Sequence, residues 1–269
     1  YTATPYANLL QDTWNNLSPN FAQVLNPGEE YTGSKFFFAN TDNRNKYIRH
    51  IPPSDLSNLE NHNDYPSSLK EAIRFFILGV ADGIKNKVHH NNSSRSMFVH
   101  ISSETSDDIG GNLSHENIIK LISEDIESIK KVLNDFRKKN DENLMTNIID
   151  SFKPFYDDLI KHSSEIFELN NKNFIYLEKA INFIEIIEFN ARDQSTIPKV
   201  HWYDEGYARI LVGGTGLDRG YTVEGLTVSY LLRNPSDQLD TSLQRARFFG
   251  YHKPNLDFFR IFLPIISDN

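Results

Sequence analysis

Downstream of Ile210 an apolar stretch runs into five glycines within thirteen residues (Gly213, Gly214, Gly216, Gly220 and Gly225), then out into a second apolar stretch that ends before Arg233. Few architectures accept that pattern. The flanking stretches, 208–212 and 226–232, are short, apolar and bounded by turn residues, and they read as buried strands. Glycines directly after a strand of a parallel sheet let the backbone approach a ligand and aim its amides, at the carboxyl edge where such sheets bind their ligands. The segment is not a dinucleotide fingerprint, because Arg219 stands where the third glycine is required. It is not a Walker A loop either, since no Gly-Lys-Ser/Thr follows. A plain glycine-rich turn is the alternative reading of this segment taken alone.

The remaining periodicities fit the same class. Leu69, Ile73, Phe76, Val80 and Ile84 recur every three or four positions and predict an amphipathic helix, opened by a capping box of Ser68 and Glu71. Residues 96–101 predict a buried strand. Ile118, Ile122, Ile126, Ile129, Leu133 and Phe136 mark one face of a long helix, with shorter helical patterns at 142–152 and 155–168 and a stronger one over 174–189. Strands follow at 200–203, 208–212, 226–232 and 258–263, with a helix over 237–249 before the last. Residues 1–65 read as irregular. The succession predicts an α/β fold: a parallel sheet covered by helices on both faces and interrupted by helices.

Composition sets bounds. The 269 residues suffice for one large domain or two small ones. There is no cysteine, which excludes a disulfide framework and a thiolate zinc site and suits a reducing cytosol. No apolar run approaches the roughly 18 residues of a membrane span. A cytoplasmic protein without a membrane partner is the expectation. The start, Tyr1-Thr2-Ala3-Thr4-Pro5, has neither an initiator Met nor a basic lead, so it is no signal peptide and reads as the interior of a longer protein. The net charge of −8 argues against a generic basic nucleic-acid coat. Residues 115–190 hold much of the excess, with 15 acidic against 10 basic side chains, whereas 195–269 is balanced and carries six of the twelve arginines. Of these, Arg209 and Arg260 read as solvated surface, while Arg219 and Arg247 stand in motifs.

The second motif is Asp240-Thr-Ser-Leu-Gln-Arg-Ala-Arg-Phe-Phe-Gly250. Gln244 and Arg247 lie three apart, on one helical face, so an amide and a guanidinium can converge on one ligand. By itself this is an ordinary surface helix. The order is more specific: Thr-Ala-Thr at 2–4, then Gly-x5-Arg-Gly from Gly213, then Gln244-x-x-Arg247. It resembles the second half of the motif set of superfamily-two helicases, with Gly214 through Gly220 as motif five and Gln244 to Arg247 as motif six.

More closely, the chain resembles the Z-one (Z1) domain family, which carries an endonuclease label and is fused to helicase-like ATPases in restriction-modification or defence systems. The matching residues are Tyr1 to Leu10, Leu17-Ser-Pro-Asn-Phe21, Tyr31-Thr-Gly33, Ser68 to Ile73, Ser96-Met-Phe-Val-His100, Leu217 to Tyr230, and Asp240 to Tyr251. They cover about 1–110 and 200–265, leaving the helical block unmatched. Two positions depart from the family pattern. Ala246 replaces the glycine before the motif-six arginine, and His252 replaces an arginine, which implies a weaker or pH-dependent phosphate contact there. Lys253 offers a point charge without the guanidinium fork.

The resemblance implies a RecA-like α/β lobe, the C-terminal lobe of a helicase, with a helical insertion subdomain. Residues 1–65 would be the tail of the first lobe and a connector, 66–113 and 191–269 the second lobe, and 114–190 the acidic insertion. ATP is sandwiched between two such lobes. Arg247 would be the arginine finger and Gln244 would orient it; such a finger is worth about 10³–10⁵ in rate. Gly214, Gly216, Asp218, Arg219, Gly220 and Glu224 would line the nucleotide and couple it to the nucleic-acid track, and Thr2 and Thr4 would couple the lobes. No Walker A sequence is present, so ATP and magnesium belong to the full-length protein and none is expected on this chain alone. DNA or RNA, the N-terminal ATPase lobe and a protein on the insertion are the expected partners. An endonuclease is the alternative, but no Asp or Glu is followed two residues later by Lys, as the usual restriction core requires, and His89-His90 stand in a polar loop. A protein-interaction module, acting through the insertion, is the third reading. No metal ligands are assigned.

Overall fold

The computed structural model describes residues 23, 26, 28–86, 94–100, 113–163, 165–189, 208–213, 223–232, 250–251 and 253–264. Within them six strands form a single sheet: β1 (Ile48–Ile51), β2 (Arg95–His100), β3 (Ile184–Phe189), β4 (Ala208–Gly213), β5 (Leu226–Leu231) and β6 (Arg260–Pro264). The order is β1-β6-β5-β2-β4-β3, and every pair is parallel. The four predicted strands near 96–101, 208–213, 227–232 and 259–263 therefore lie in one parallel sheet. The predicted strand at 200–203 and helix at 237–249 fall outside the described residues.

Side chains alternate along the strands with period two. Met97, Val99, Ile210, Val212, Val228 and Tyr230 enter one core, while Phe98 and Leu211 enter another on the opposite face, joined by Leu226 from the far side of the register shift in the β2–β5 pairing. Burial on both faces is why these strands read as unbroken apolar runs. The first face is covered by α3 (Ser67–Asn86), α4 (His115–Lys139), α5 (Glu142–Ile160) and α6 (Phe174–Phe183), whose apolar stripes share that core. On the other face a π-helical turn (Lys35–Ala39) and α1 (Thr41–Tyr47) cover β1 and β6, where Phe37 stacks on Phe259 at 5.5 Å. The short α2 (Pro53–His62) links β1 to α3.

Residues 115–183 join the sheet's own core, and their acids serve that attachment. Asp125 of α4 takes a bidentate pair from Arg74 of α3 at 2.7 and 2.8 Å, with the Arg74 side chain buried and that of Asp125 9 % exposed. Asp158 of α5 holds Arg49 of β1 and Arg260 of β6. Arg260 also lies over Phe75 at 4.9 Å, and burial lowers its pKa to about 10.

Five expectations are corrected. Residues 1–65 are not irregular throughout, since α1, β1 and α2 lie within them. No capping box opens α3: Asp55 of α2 accepts from the Ser68 amide and the Ser67 hydroxyl, and the Ser68 hydroxyl is bonded to Tyr230. The helix predicted over 174–189 ends at Phe183, and Ile184–Phe189 is the edge strand β3. The helical patterns at 142–152 and 155–168 merge into one helix that stops at Ile160 and runs through Pro154, which sits on the exposed side beside Asp150, so the carbonyl it leaves without a donor is open to water. Arg209 and Arg260 are buried rather than solvated, Arg209 pairing with Glu185 at 3.3 Å. Among the described residues no helix is long and apolar enough to cross a membrane.

Candidate functional site at the carboxyl edge of the sheet

Because all six strands run in one direction, the chain leaves β2, β4 and β5 at the same edge. His100, the last residue of β2, stands opposite Gly213 on one side and Leu231 on the other. Its carbonyl accepts the Leu232 amide at 2.9 Å. With neighbouring strands about 4.8 Å apart, Gly213 and Leu231 end roughly 10 Å from each other. The glycine-rich segment leaves from the first of these points, and the segment carrying Gln244 and Arg247 leaves from the second. Gly214, Gly216, Asp218, Arg219, Gly220, Gln244, Arg247, Thr2 and Thr4 themselves lie outside the described residues. The sheet thus brings together the roots of the two motif segments.

Glu224 is placed at the opposite edge. It lies two residues before β5, and its carbonyl accepts the Ser96 hydroxyl at 2.7 Å. One residue on, Gly225 has φ +65°, and its carbonyl accepts the Ser96 amide at 2.8 Å. A Cβ there would stand 2.7 Å from the Ser94 carbonyl oxygen, so only glycine fits. This contact sets the β2–β5 pairing at the register shift between Ser96 and Met97. The structure does not bring Glu224 to Gly213, which is a strand length of about 20 Å away.

Two histidines near the carboxyl edge were missed as site residues. His100 is 2 % exposed, ends the strand between the two motif roots, and has its ring edge-on to Phe98 at 5.7 Å. A polar residue closing the apolar run Met97-Phe98-Val99 was the available signal. His115 opens α4, and its Nδ1 is 3.5 Å from Glu188 of β3. No sequence signal joins those two, which are 73 positions apart and meet only through the parallel crossover. Among the described residues no group of three or more His, Cys, Asp or Glu could hold a metal. β2, β4 and β5 end at His100, Gly213 and Leu231, none of them a carboxylate, so these ends do not suit magnesium. They do suit close backbone approach by a phosphate ligand at Gly213. Arg209 and Arg260 are themselves buried and each is paired with a carboxylate, which withdraws both from the candidate cations and leaves Arg219, Arg233, Arg245 and Arg247 in the tail.

The family model described as Z1 domain matches residues 68–267, and the chain belongs to that family. No curated protein and no solved structure matches the chain.

Proposed function

We propose that this Z1 domain chain works as the second, RecA-like lobe of a helicase-like, nucleic-acid-dependent ATPase of a restriction or defence system. One observation carries the reading: β4 and β5 flank β2 in parallel, so the glycine-rich and Gln-x-x-Arg segments start from one edge of the sheet. Arg247 is the finger that stabilises charge on the transferring phosphoryl group, and Gln244 orients it. Gly214, Gly216 and Gly220 let the backbone approach the nucleotide, while Asp218 and Arg219 couple it to the nucleic-acid strand. Thr2 and Thr4 transmit the nucleotide state between lobes. Glu224 keeps a structural role in the β2–β5 register. Magnesium and the phosphate-binding lysine are supplied by the Walker A lobe.

The test is binding of a non-hydrolysable ATP analogue to the chain alone and together with a Walker A lobe, with and without a DNA or RNA strand. Binding only when both lobes are present supports the motor. Metal-dependent nicking of DNA by the isolated chain would establish the endonuclease alternative instead.

A further inference from the structure

At the amino edge of the sheet a cavity of about 270 Å³ opens beneath the last turn of α3. Ser163, Glu165 and Ile166 beyond α5 form one side of it, and Asn255, Asp257 and Phe258 ahead of β6 form another. Arg95, the first residue of β2, closes it on the sheet side. All the residues that line it are among the described ones. A strand length of about 20 Å separates it from Gly213 at the carboxyl edge. Its volume falls just short of the roughly 300–1,000 Å³ of drug-sized sites, so its occupant is small.

The polar groups select the charge of that occupant. Asp82, in α3, is 7 % exposed. Its Oδ1 accepts the Phe167 amide at 3.0 Å and the Asn86 side-chain amide at 2.9 Å, while its Oδ2 accepts nothing among the described residues. Asn255 adds a buried side-chain oxygen that has no donor among them either. Both positions are acceptors, so they call for a ligand that donates. Arg95 is engaged by the wall: it donates to the Ser94 carbonyl at 3.0 Å and lies over the Phe258 ring at 5.9 Å. The carboxylates of Asp82, Glu165 and Asp257 face this one guanidinium. Lys46 neutralises Asp257 at 3.0 Å and Arg95 offsets another, which leaves the lining a net negative charge. Gly83 and Asn86 bring the carboxyl end of α3 to the cavity, and with it the negative end of the helix dipole. Burial pushes the Asp82 carboxyl above the ordinary carboxylate range, and a seated cation would relieve that cost. Ile166 and Phe258 supply an apolar wall for a short alkyl stem.

We propose that this cavity is a binding site for an ammonium or guanidinium group on a short alkyl chain, with Asp82 Oδ2 as its charged acceptor. A metal ion is the poorer occupant, because among the described residues no group of three or more His, Cys, Asp or Glu could hold one. Seated there, the organic cation ties the stretch after α5 to the end of α3 and to the approach to β6, and so fastens the helical block to the sheet. The site shares no residue with the arginine-finger reading and does not depend on it.

The test is isothermal titration of the full chain with butylguanidinium and with butylurea, a neutral probe of the same shape. The expected result is a Kd of about 1 mM or tighter for butylguanidinium, within reach of a ligand of about eight heavy atoms, and binding at least tenfold weaker for butylurea. Asp82→Asn keeps an oxygen for the Phe167 amide and removes the charge, and it should weaken butylguanidinium about tenfold or more. Glu165→Gln, at the exposed rim, should weaken it about two- to threefold. Glu127→Gln, an exposed acid of α4 that does not line the cavity, should leave it unchanged. The blocked tripeptide acetyl-Gly-Arg-Gly-amide separates two sources of the same chemistry: binding as tight as butylguanidinium assigns the occupant to a partner's side chain, and exclusion assigns it to a free small molecule. If Asp82→Asn does not fold, the contrast between the two butyl probes and that between Glu165→Gln and Glu127→Gln decide. No binding of butylguanidinium, equal binding of butylurea, a folded Asp82→Asn that binds like wild type, or equal weakening by Glu127→Gln overturns the site.

Discussion

Gly225→Ala tests the contact on which the central strand pairing depends. A left-handed φ costs a non-glycine residue about 1–2 kcal/mol. The added Cβ would also stand 2.7 Å from the Ser94 carbonyl oxygen, which is backbone and can yield only by shifting the start of β2. That shift breaks the 2.8 Å bond from the Ser96 amide to the Gly225 carbonyl, and a buried donor left unpaired costs about 1–3 kcal/mol. Together the loss should be about 2–5 kcal/mol, a large share of the roughly 5–15 kcal/mol that holds a domain folded. At about 2–4 °C per kcal/mol for a chain of this size, the melting temperature should fall by roughly 5–20 °C. Gly225→Asn separates the two causes. Asparagine tolerates the left-handed region but carries the same Cβ, so it should be nearly as damaging as alanine if the close approach to Ser94 dominates. Denaturant unfolding followed by far-ultraviolet circular dichroism gives both values. A loss under about 1 kcal/mol for alanine, or wild-type stability for asparagine, would falsify the close-contact explanation.

Other perturbations have equally definite outcomes. Asp55→Ala removes the acceptor of the Ser68 amide and the Ser67 hydroxyl at the start of α3 and should cost about 1–2 kcal/mol in denaturant unfolding. Arg74→Met leaves the largely buried Asp125 without its partner and should cost about 3–5 kcal/mol, while the double variant Arg74→Met/Asp125→Leu should recover most of that loss. Burial pushes the Asp158 carboxyl up, but Arg49 and Arg260 outweigh it and hold it below the ordinary carboxylate range. With the folded pKa depressed, its stabilisation is present above the unfolded value of about 3.9 and lost as pH falls through the lower folded value. Asp158→Asn should therefore destabilise at neutral pH and flatten the acid limb of a melting-temperature profile.

How much was legible follows from which residues faced water and which found partners. β2, β4, β5 and β6 were readable because burial on both faces leaves short apolar runs, as in Ile210-Leu211-Val212. β1 was hidden by Arg49 and His50, and nothing local shows that Arg49 is neutralised by Asp158 of α5. β3 was hidden for the opposite reason, since Leu177, Ile181 and Ile184 continue a helical spacing past Phe183, where the helix stops. Ser68 and Glu71 form a sound capping box on paper, yet Asp55 reaches the Ser68 amide from the preceding helix. The depths of Arg209 and Arg260 depended on Glu185 and Asp158, which are non-local partners. At the candidate site the glycine-rich segment was legible as a strand-to-loop exit, but its neighbour across β2 was not. Spacing along a chain cannot show that Gly213 and Leu231 flank His100.

The central claim is that Arg247 acts on a transferring phosphoryl group, and one measurement addresses it most directly. Turnover of ATP and melting temperature are determined on the same preparation of full-length Arg247→Lys. Lysine keeps the charge but not the bidentate fork, so the expected result is retained ATP binding, an unchanged melting temperature and turnover lower by two or more orders of magnitude. Turnover per folded molecule equal to wild type, with a lowered melting temperature, would show instead that Arg247 only braces the fold.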